Sequence, residues 1–176
     1  MENAQQKLIF LVGFMGAGKT TLGKQLAKKL QIPYADMDDL IEAEVGMTIA
    51  DYFQKFGEKA FRKQEEQTLI KVIKDFTEAP HVVATGGGTP CFFQNIERMN
   101  QAGISVYLRP EVSHLVGRLW PQRDHRPLIM GMDKETLASF IHSKLEERDP
   151  FYRKATFTLE GEDASINGLK KILIQN

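Results

Sequence analysis

Residues 13–20 combine glycines, a lysine and a threonine at a spacing suited to binding phosphate groups. The segment reads GFMGAGKT and fits the pattern G-x-x-x-x-G-K-[ST] at every fixed position. Glycines let backbone N–H groups approach phosphate oxygens closely, and the N-terminus of the following helix adds partial positive charge. The pattern predicts that Lys19 reaches the β- and γ-phosphates of a nucleotide and that the Thr20 hydroxyl ligates magnesium. Phosphate contacts are expected from Gly16, Ala17, Gly18, Lys19, Thr20 and Thr21.

Two aspartates, Asp36 and Asp38, follow the second strand-like segment. If that strand continues through residue 38, its period-2 alternation places both carboxylates on one face, near the phosphate loop. Asp36 is then a candidate magnesium ligand, and Asp38 is a candidate acceptor for the proton of a substrate hydroxyl. The same residues also suit a helix N-cap, with Asp38 or Asp39 capping a helix that begins near Leu40.

Alternating strand-like and helix-like segments must position these groups. A continuous apolar run at residues 8–12 predicts a central strand that is buried on both faces. Further strands are predicted at 34–37, 81–85, 104–108 and 155–159, and helices at 19–30, 39–45, 49–56, 58–76, 91–101, 112–119, 134–147 and 165–173. The pattern predicts an α/β domain with a five-stranded parallel sheet flanked by helices. Ligands bind beyond the carboxyl ends of the strands in such sheets.

The composition is that of a single globular domain. The chain has 176 residues, 42% of them hydrophobic and 26% charged, and its formal net charge is zero, which gives no indication of nucleic-acid binding. Residues 1–7 lack the basic start and apolar stretch of a signal peptide, and no apolar run approaches the ~18 residues of a membrane helix. The single cysteine, Cys91, cannot form an internal disulfide and is interpreted as a structural thiol. A cytoplasmic protein is therefore predicted.

From residue 36 onward the chain resembles shikimate kinases. The first shared block runs from Asp36-x-Asp38 through Ile41-Glu42 and Gly46-x-Thr48-Ile49 to Gly57-Glu58-x-x-Phe61-Arg62-x-x-Glu65. The later blocks are the triple glycine at 86–88, the segment RDHRPL at 123–128, and Glu147-Arg148-x-Pro150-x-Tyr152. With the phosphate loop included, the resemblance covers residues 8 to about 173.

The resemblance implies a P-loop kinase fold, similar to nucleoside monophosphate kinases, and transfer of the γ-phosphate of ATP to the 3-hydroxyl of shikimate. This magnesium-dependent step belongs to aromatic amino acid biosynthesis. By the same resemblance, Arg62 and Arg148 bind the substrate carboxylate, since a guanidinium matches a carboxylate bidentately. Glu65 orients Arg62, Asp38 binds the ring hydroxyls, and Gly87 offers a backbone N–H to the substrate. The whole chain, 1–176, is then one domain, and its acceptor-binding helices lie within residues 38–76.

Residues 120–132 resemble the mobile lid of that family. Arg126 is expected to reach the ATP phosphates when the lid closes, whereas Arg118 and Arg123 are weaker candidates for the nucleotide. Trp120 is assigned only to packing. No basic residue occurs at 160–165, where a contact with adenine is expected. The sequence therefore does not identify the residues that recognise adenine.

Two other classes of protein share the phosphate loop. One comprises kinases of a different small acceptor, such as gluconate or a nucleoside monophosphate, although an acceptor that carries phosphate needs more basic groups than Arg62 and Arg148. The other comprises GTP-driven switches, whose Asn-Lys-x-Asp guanine motif does not occur in the sequence. The predicted partners are shikimate and ATP, without nucleic acid or membrane, and a monomer is expected.

Overall fold

Five parallel strands form one sheet in the computed structural model, which describes residues 8–76, 79–126 and 128–174. Residues 1–7, which carried the signal-peptide argument, and Pro127 of the predicted lid lie outside this part. The strands are β1 (Leu8–Val12), β2 (Tyr34–Asp36), β3 (His81–Ala84), β4 (Ile104–Arg109) and β5 (Phe157–Glu160). Their order in the sheet is β2-β3-β1-β4-β5, and every pairing is parallel. This confirms the predicted fold class.

Helices connect these strands and cover both faces of the sheet. They are α1 (Lys19–Leu30), α2 (Met37–Val45), α3 (Ile49–Asp75), α4 (Asn95–Ala102), α5 (Val112–Leu119), α6 (Lys134–Tyr152) and α7 (Ile166–Ile174). Short 3₁₀ helices occupy Thr89–Cys91, Trp120–His125 and Gly161–Asp163. Within the described residues, no helix is both long enough and apolar enough to cross a membrane.

The central strand β1 separates two hydrophobic cores, as its unbroken apolar sequence predicts. Ile9 and Leu11 contribute to the core that contains buried residues of α1, α5, α6 and α7. Leu8, Phe10 and Val12 contribute to the opposite core, with buried residues of α2, α3 and α4. All five residues of β1 are buried, so the turn that follows the strand starts from a fixed support.

The long helix α3 is interrupted at Gly57, which confirms the prediction of separate helices on either side of this residue. Gly57 has φ 78° and ψ 173°, a conformation that is costly for residues with a Cβ atom. On the C-terminal side of the interruption the helix buries Phe61, Arg62, Glu65, Glu66, Thr68, Leu69 and Val72. This half therefore presents charged side chains as well as apolar ones to the interior.

Three predictions differ from the structure by more than two residues. The helix predicted at 91–101 begins only at Asn95, because the chain first forms a 3₁₀ turn and then takes left-handed conformations at Phe93 and Gln94. The first half of the stretch read as a loop at 120–132 is a 3₁₀ helix. Helix α6 continues past residue 147 to Tyr152, with Pro150 in its last turn.

Candidate active site

The phosphate-binding pattern forms the turn between β1 and α1. Gly13, Gly16 and Gly18 all have positive φ, which explains why glycine is needed at these points of the loop. A Cβ atom on Gly13 would lie 2.6 Å from the Leu108 carbonyl oxygen of β4, so the loop also packs tightly against the sheet. Ala17 is fully buried and its N–H donates to the Phe14 carbonyl at 3.1 Å, which leaves that predicted phosphate donor engaged within the loop.

A cleft of about 720 Å³ opens beyond the carboxyl ends of the strands. The cleft is lined by most of the residues that were predicted from the sequence to form the site, namely Gly16, Gly18, Lys19, Thr20, Thr21, Asp36, Asp38, Gly87, Arg118 and Arg126. The cleft is also lined by residues that were not predicted from the sequence, among them Thr85, Gln122, Ala164, Ser165 and Ile166. Thr85 and residues 164–166 follow the carboxyl ends of β3 and β5. This position in the sequence was the signal that could have identified them as lining residues.

Lys19 is buried inside the phosphate loop. Its ammonium donates to the carbonyl oxygens of Gly13 at 2.7 Å and Phe14 at 2.9 Å. Burial lowers the pKa of Lys19 to about 8, while the charges of Asp38 and Asp36 oppose this shift. The lysine is therefore held in place by the loop and remains largely protonated at neutral pH.

Thr20 and Asp36 meet at the start of α1. The Thr20 hydroxyl donates to Asp36 Oδ2 at 2.9 Å, and the Tyr34 hydroxyl donates to the same oxygen at 2.9 Å. Asp36 Oδ1 accepts the backbone N–H of Asp38 at 3.2 Å, so the N-cap of α2 is Asp36 and not Asp38 or Asp39. The prediction that Asp36 and Asp38 alternate along one strand was wrong, because β2 ends at Asp36 and α2 begins at Met37.

The pair Thr20 and Asp36 suits a magnesium ion. A hydroxyl that donates one hydrogen bond still has lone pairs, and a carboxylate oxygen lies beside it. Among the described residues, no group of three or more His, Cys, Asp or Glu side chains could hold a metal. Magnesium accepts this arrangement because it keeps several waters and binds one or two protein groups together with substrate phosphates.

Asp38 lies in the first turn of α2 and lines the cleft. Asp38 is exposed to solvent, and its Oδ1 would lie 3.0 Å from a Cβ atom on Gly86. Partial desolvation of the carboxylate in the cleft, reinforced by the charge of Asp36, raises the pKa of Asp38 to about 6, while Lys19 opposes the shift and Glu65 adds to it. Asp38 is thus mostly ionised at neutral pH while being more basic than an ordinary aspartate.

The triple glycine after β3 is the point where charged side chains from α2, α3 and α6 converge. A Cβ atom on Gly86 would lie 2.8 Å from Glu65 Oε1 and 3.0 Å from Asp38 Oδ1. A Cβ atom on Gly87 would lie 3.5 Å from Arg148 Nη1, and one on Gly88 would lie 2.3 Å from Arg62 Nη1. Gly86 and Gly88, which lack a Cβ atom, therefore leave room for the close approach of charged side chains.

Arg62 is buried and its guanidinium is held at its edges by two glutamates. Nη1 donates to Glu65 Oε2 at 2.5 Å, while Nε and Nη2 both donate to Glu58 Oε1 at 3.2 Å. Burial disfavours the charged form, but Glu65 and Glu58 outweigh it and raise the pKa of Arg62. Three of the five N–H groups of the guanidinium take part in these hydrogen bonds, which leaves two available. Glu65 is itself fixed because its Oε1 accepts from Thr89 Oγ1 at 2.7 Å.

Arg148 reaches the same turn from α6. Its guanidinium carbon lies 5.6 Å from the centre of the Phe14 ring in the phosphate loop. Tyr152, one helical turn later, donates its hydroxyl to the Gly87 carbonyl oxygen. The sequence motif that contains both residues thus ties the end of α6 to the triple glycine.

The arginines near the predicted lid have different environments. Arg126 lines the cleft and its Nη2 donates to Gln122 Oε1 at 2.9 Å. Arg118 also lines the cleft and donates to the Gly16 carbonyl at 3.0 Å. Arg123 instead lies over the Trp120 ring at 4.1 Å and donates to the Trp120 carbonyl at 2.9 Å. Packing with Arg123 accounts for the tryptophan, and Arg123 is absent from the described lining of the cleft.

Comparison with known proteins gives consistent matches along the chain. The family model described as Shikimate kinase matches residues 15–175. A shikimate kinase from Parabacteroides distasonis is 42% identical over 156 residues, which are 89% of this chain and 88% of that protein.

Solved structures of similar proteins share the fold. Shikimate kinase from Bacteroides thetaiotaomicron has a TM-score of 0.86 and 38% identity, covering 95% of this chain and 98% of that one. Shikimate kinase from Acinetobacter baumannii in complex with shikimate has a TM-score of 0.83 and 35% identity, covering 97% and 92%. A gluconokinase from Sinorhizobium meliloti, with a TM-score of 0.55 and 16% identity over 97% and 95% of the chains, shares the fold alone.

Proposed function

The chain belongs to the shikimate kinase family, and on this basis we propose how its cleft carries out the family reaction. The protein transfers the γ-phosphate of ATP to the 3-hydroxyl of shikimate, giving shikimate 3-phosphate and ADP, in the biosynthesis of chorismate and aromatic amino acids. A gluconate kinase, the alternative from the sequence, has only the distant fold similarity in its favour.

The observation that carries the acceptor site is the approach of two arginines to adjacent glycines. Arg62 contacts Gly88, and Arg148 lies against Gly87, although these arginines belong to α3 and α6. The shikimate carboxylate binds between the two guanidinium groups, which match it in charge and geometry. The N–H of Gly87 faces the same ligand, and Asp38 binds the ring hydroxyls from α2.

The phosphate side of the cleft holds ATP through the loop and the cationic side chains around it. Backbone N–H groups of Gly16 and Gly18, the ammonium of Lys19 and the hydroxyl of Thr21 face the phosphate chain, whereas the N–H of Ala17 is bonded to Phe14 within the loop. Arg126 adds a second positive charge from the opposite wall. Thr20 and Asp36 would hold a magnesium ion, which when bound neutralises charge on the β- and γ-phosphates.

Asp38 accepts the proton of the 3-hydroxyl during transfer. Its raised pKa, about 6, suits this role, because a stronger base at neutral pH takes a proton more readily than an ordinary aspartate. Lys19 and Arg126 stabilise the charge that develops on the transferred group, which is the main task of a protein in phosphoryl transfer.

The whole chain acts as one domain with a lid at 120–132 and acceptor-binding helices within 38–76. Arg126 and Gln122 line the cleft, and Leu128 and Met130 are exposed, although Ile129 between them is buried in the core. The exposed part of this segment is proposed to close over bound nucleotide. We propose that the protein acts as a monomer, as expected for a domain of this size, since the site needs no residue from a second copy to be complete. A single free cysteine, half-buried, is consistent with a cytoplasmic location.

The decisive experiment measures ADP release with ATP and magnesium in the presence of shikimate, gluconate or a nucleoside monophosphate. Stimulation by shikimate alone supports the proposal. Arg62→Ala and Arg148→Ala should each raise the KM for shikimate far more than the KM for ATP. Equal losses for both substrates would remove the two arginines from the acceptor site.

A further inference from the structure

The connection from β3 to α4 places an aromatic ring beside the Arg62 guanidinium. The Arg62 guanidinium carbon lies 4.6 Å from the centre of the Phe92 ring. The Phe61 ring, from the preceding position of α3, lies 5.3 Å away. The guanidinium donates hydrogen bonds to Glu58 and Glu65 along its edges, and the two rings add cation–π contacts, which are of a different kind.

The backbone around Phe92 is held so that its ring meets α3. Thr89 is bonded to Glu65 through its hydroxyl, and its carbonyl accepts the Asn95 side-chain amide at 2.9 Å. Phe93 and Gln94 have φ values of 52° and 58°, a left-handed conformation that is uncommon for residues other than glycine. Two such residues in succession reverse the chain directly after Phe92, which itself is extended.

The next residue, Phe93, provides a natural contrast. Its ring is 44% exposed and lies 5.5 Å from the ammonium of Lys63. Lys63 is paired with Glu66 and belongs to none of the groups that meet at the triple glycine. Two adjacent phenylalanines therefore each face a cation of α3, and only the cation beside Phe92 lies in the acceptor site.

We infer that Phe92 is a positioning residue for recognition of the acceptor carboxylate, acting through the guanidinium of Arg62. This inference rests on the proposed role of Arg62. An aromatic face over the guanidinium restricts rotation of the group out of its plane and excludes water from that side. The two N–H groups of Arg62 that do not bind Glu58 or Glu65 then keep a fixed orientation. Their interaction with a carboxylate is also screened less by solvent.

The test compares Phe92→Leu with Phe93→Leu in the full-length protein. Shikimate and ATP affinities are measured by calorimetry, and KM and kcat by ADP release. Phe92→Leu should weaken shikimate binding by about fivefold or more, with ATP affinity unchanged. Phe93→Leu should change neither affinity by more than about twofold. Phe92→Tyr, which keeps the aromatic face, should restore binding. Equal effects of the two leucine variants would overturn the inference.

A double-mutant cycle separates action through Arg62 from a general packing effect. In an Arg62→Ala background the additional effect of Phe92→Leu on shikimate binding should disappear, because there is no guanidinium left to hold. An undiminished effect would overturn the inference. If Phe92→Leu lowers the melting temperature, Phe92→Met, an apolar residue that fills space flexibly, gives the same comparison. Failure of the wild-type protein to use shikimate would refute the proposed function, whereas an active wild type with an unaffected Phe92→Leu would refute only this inference.

Discussion

Replacing Gly88 with alanine should disable the acceptor site while leaving the fold intact. Gly88 has φ −93° and ψ −20°, a right-handed conformation that alanine adopts without strain. The added Cβ would lie 2.3 Å from Nη1, 2.7 Å from Cζ and 2.9 Å from Nη2 of Arg62. The clash is with the tip of a flexible side chain, so the arginine moves and the backbone need not.

The size of the effect follows from these distances. Ordinary contact begins at 3.4 Å, so the guanidinium must withdraw by about 1 Å. Such a shift strains the 2.5 Å bond from Nη1 to Glu65, and a hydrogen bond to a charged group contributes about 1.5–3 kcal/mol. A misplacement of about 1 Å can also cost about 100-fold in rate. The KM for shikimate should therefore rise by about tenfold to 100-fold.

The assay is ADP release at saturating ATP over a range of shikimate concentrations, with circular dichroism to check folding. Gly117→Ala is the matched control, since a Cβ on Gly117 has no atom within 4 Å. The KM for ATP should stay within about twofold of the wild-type value in both variants. A folded Gly88→Ala protein with an unchanged KM for shikimate would refute the reasoning that Arg62 is both displaced and needed.

Other expectations concern the phosphate side, the proton acceptor and the second arginine. Lys19→Ala should abolish turnover without changing the circular dichroism spectrum, and full activity would contradict the phosphate-loop assignment. Because the pKa of Asp38 is raised to about 6, kcat/KM for shikimate should fall about tenfold per pH unit below that value as the carboxylate becomes protonated. Asp38→Asn should lower kcat by about 100-fold or more and abolish this pH dependence. If kcat/KM of the wild-type protein began to fall only near pH 4, this assignment to Asp38 would be contradicted. Arg148→Ala should weaken binding of shikimate but not of ATP, as calorimetry can show.

The elements that were predictable from sequence are those governed by local rules. The phosphate loop is recognised because Gly13, Gly16 and Gly18 adopt positive φ, which costs glycine least. The two halves of α3 are recognised because Gly57 interrupts the helical pattern. Strand β1 is recognised because an unbroken apolar run of this length is typical of a strand that is buried on both faces. In each case neighbouring residues alone determine the backbone.

The parts that could not be predicted depend on contacts between distant residues. Asp36 and Asp38 do reach one cleft, but through a helix cap and a first helical turn, and alternation along a strand was the wrong reason. The triple glycine gave no sign that Gly88 makes room for Arg62, since that approach depends on how α3 packs against the turn. The contact between Phe92 and Arg62 joins residues 30 positions apart in sequence, and no local pattern encodes it.

The interruption at Gly57 also divides α3 energetically. Residues 49–60 contain no buried side chain, whereas residues 61–72 carry the buried positions that anchor the helix to the core. Local unfolding of the first segment therefore exposes little apolar surface, and its amide hydrogens should exchange with solvent long before those of the second. Arg62 belongs to the slowly exchanging segment, whereas Glu58 belongs to the first one, so opening of the first segment releases one edge of the guanidinium while Glu65 continues to hold the other.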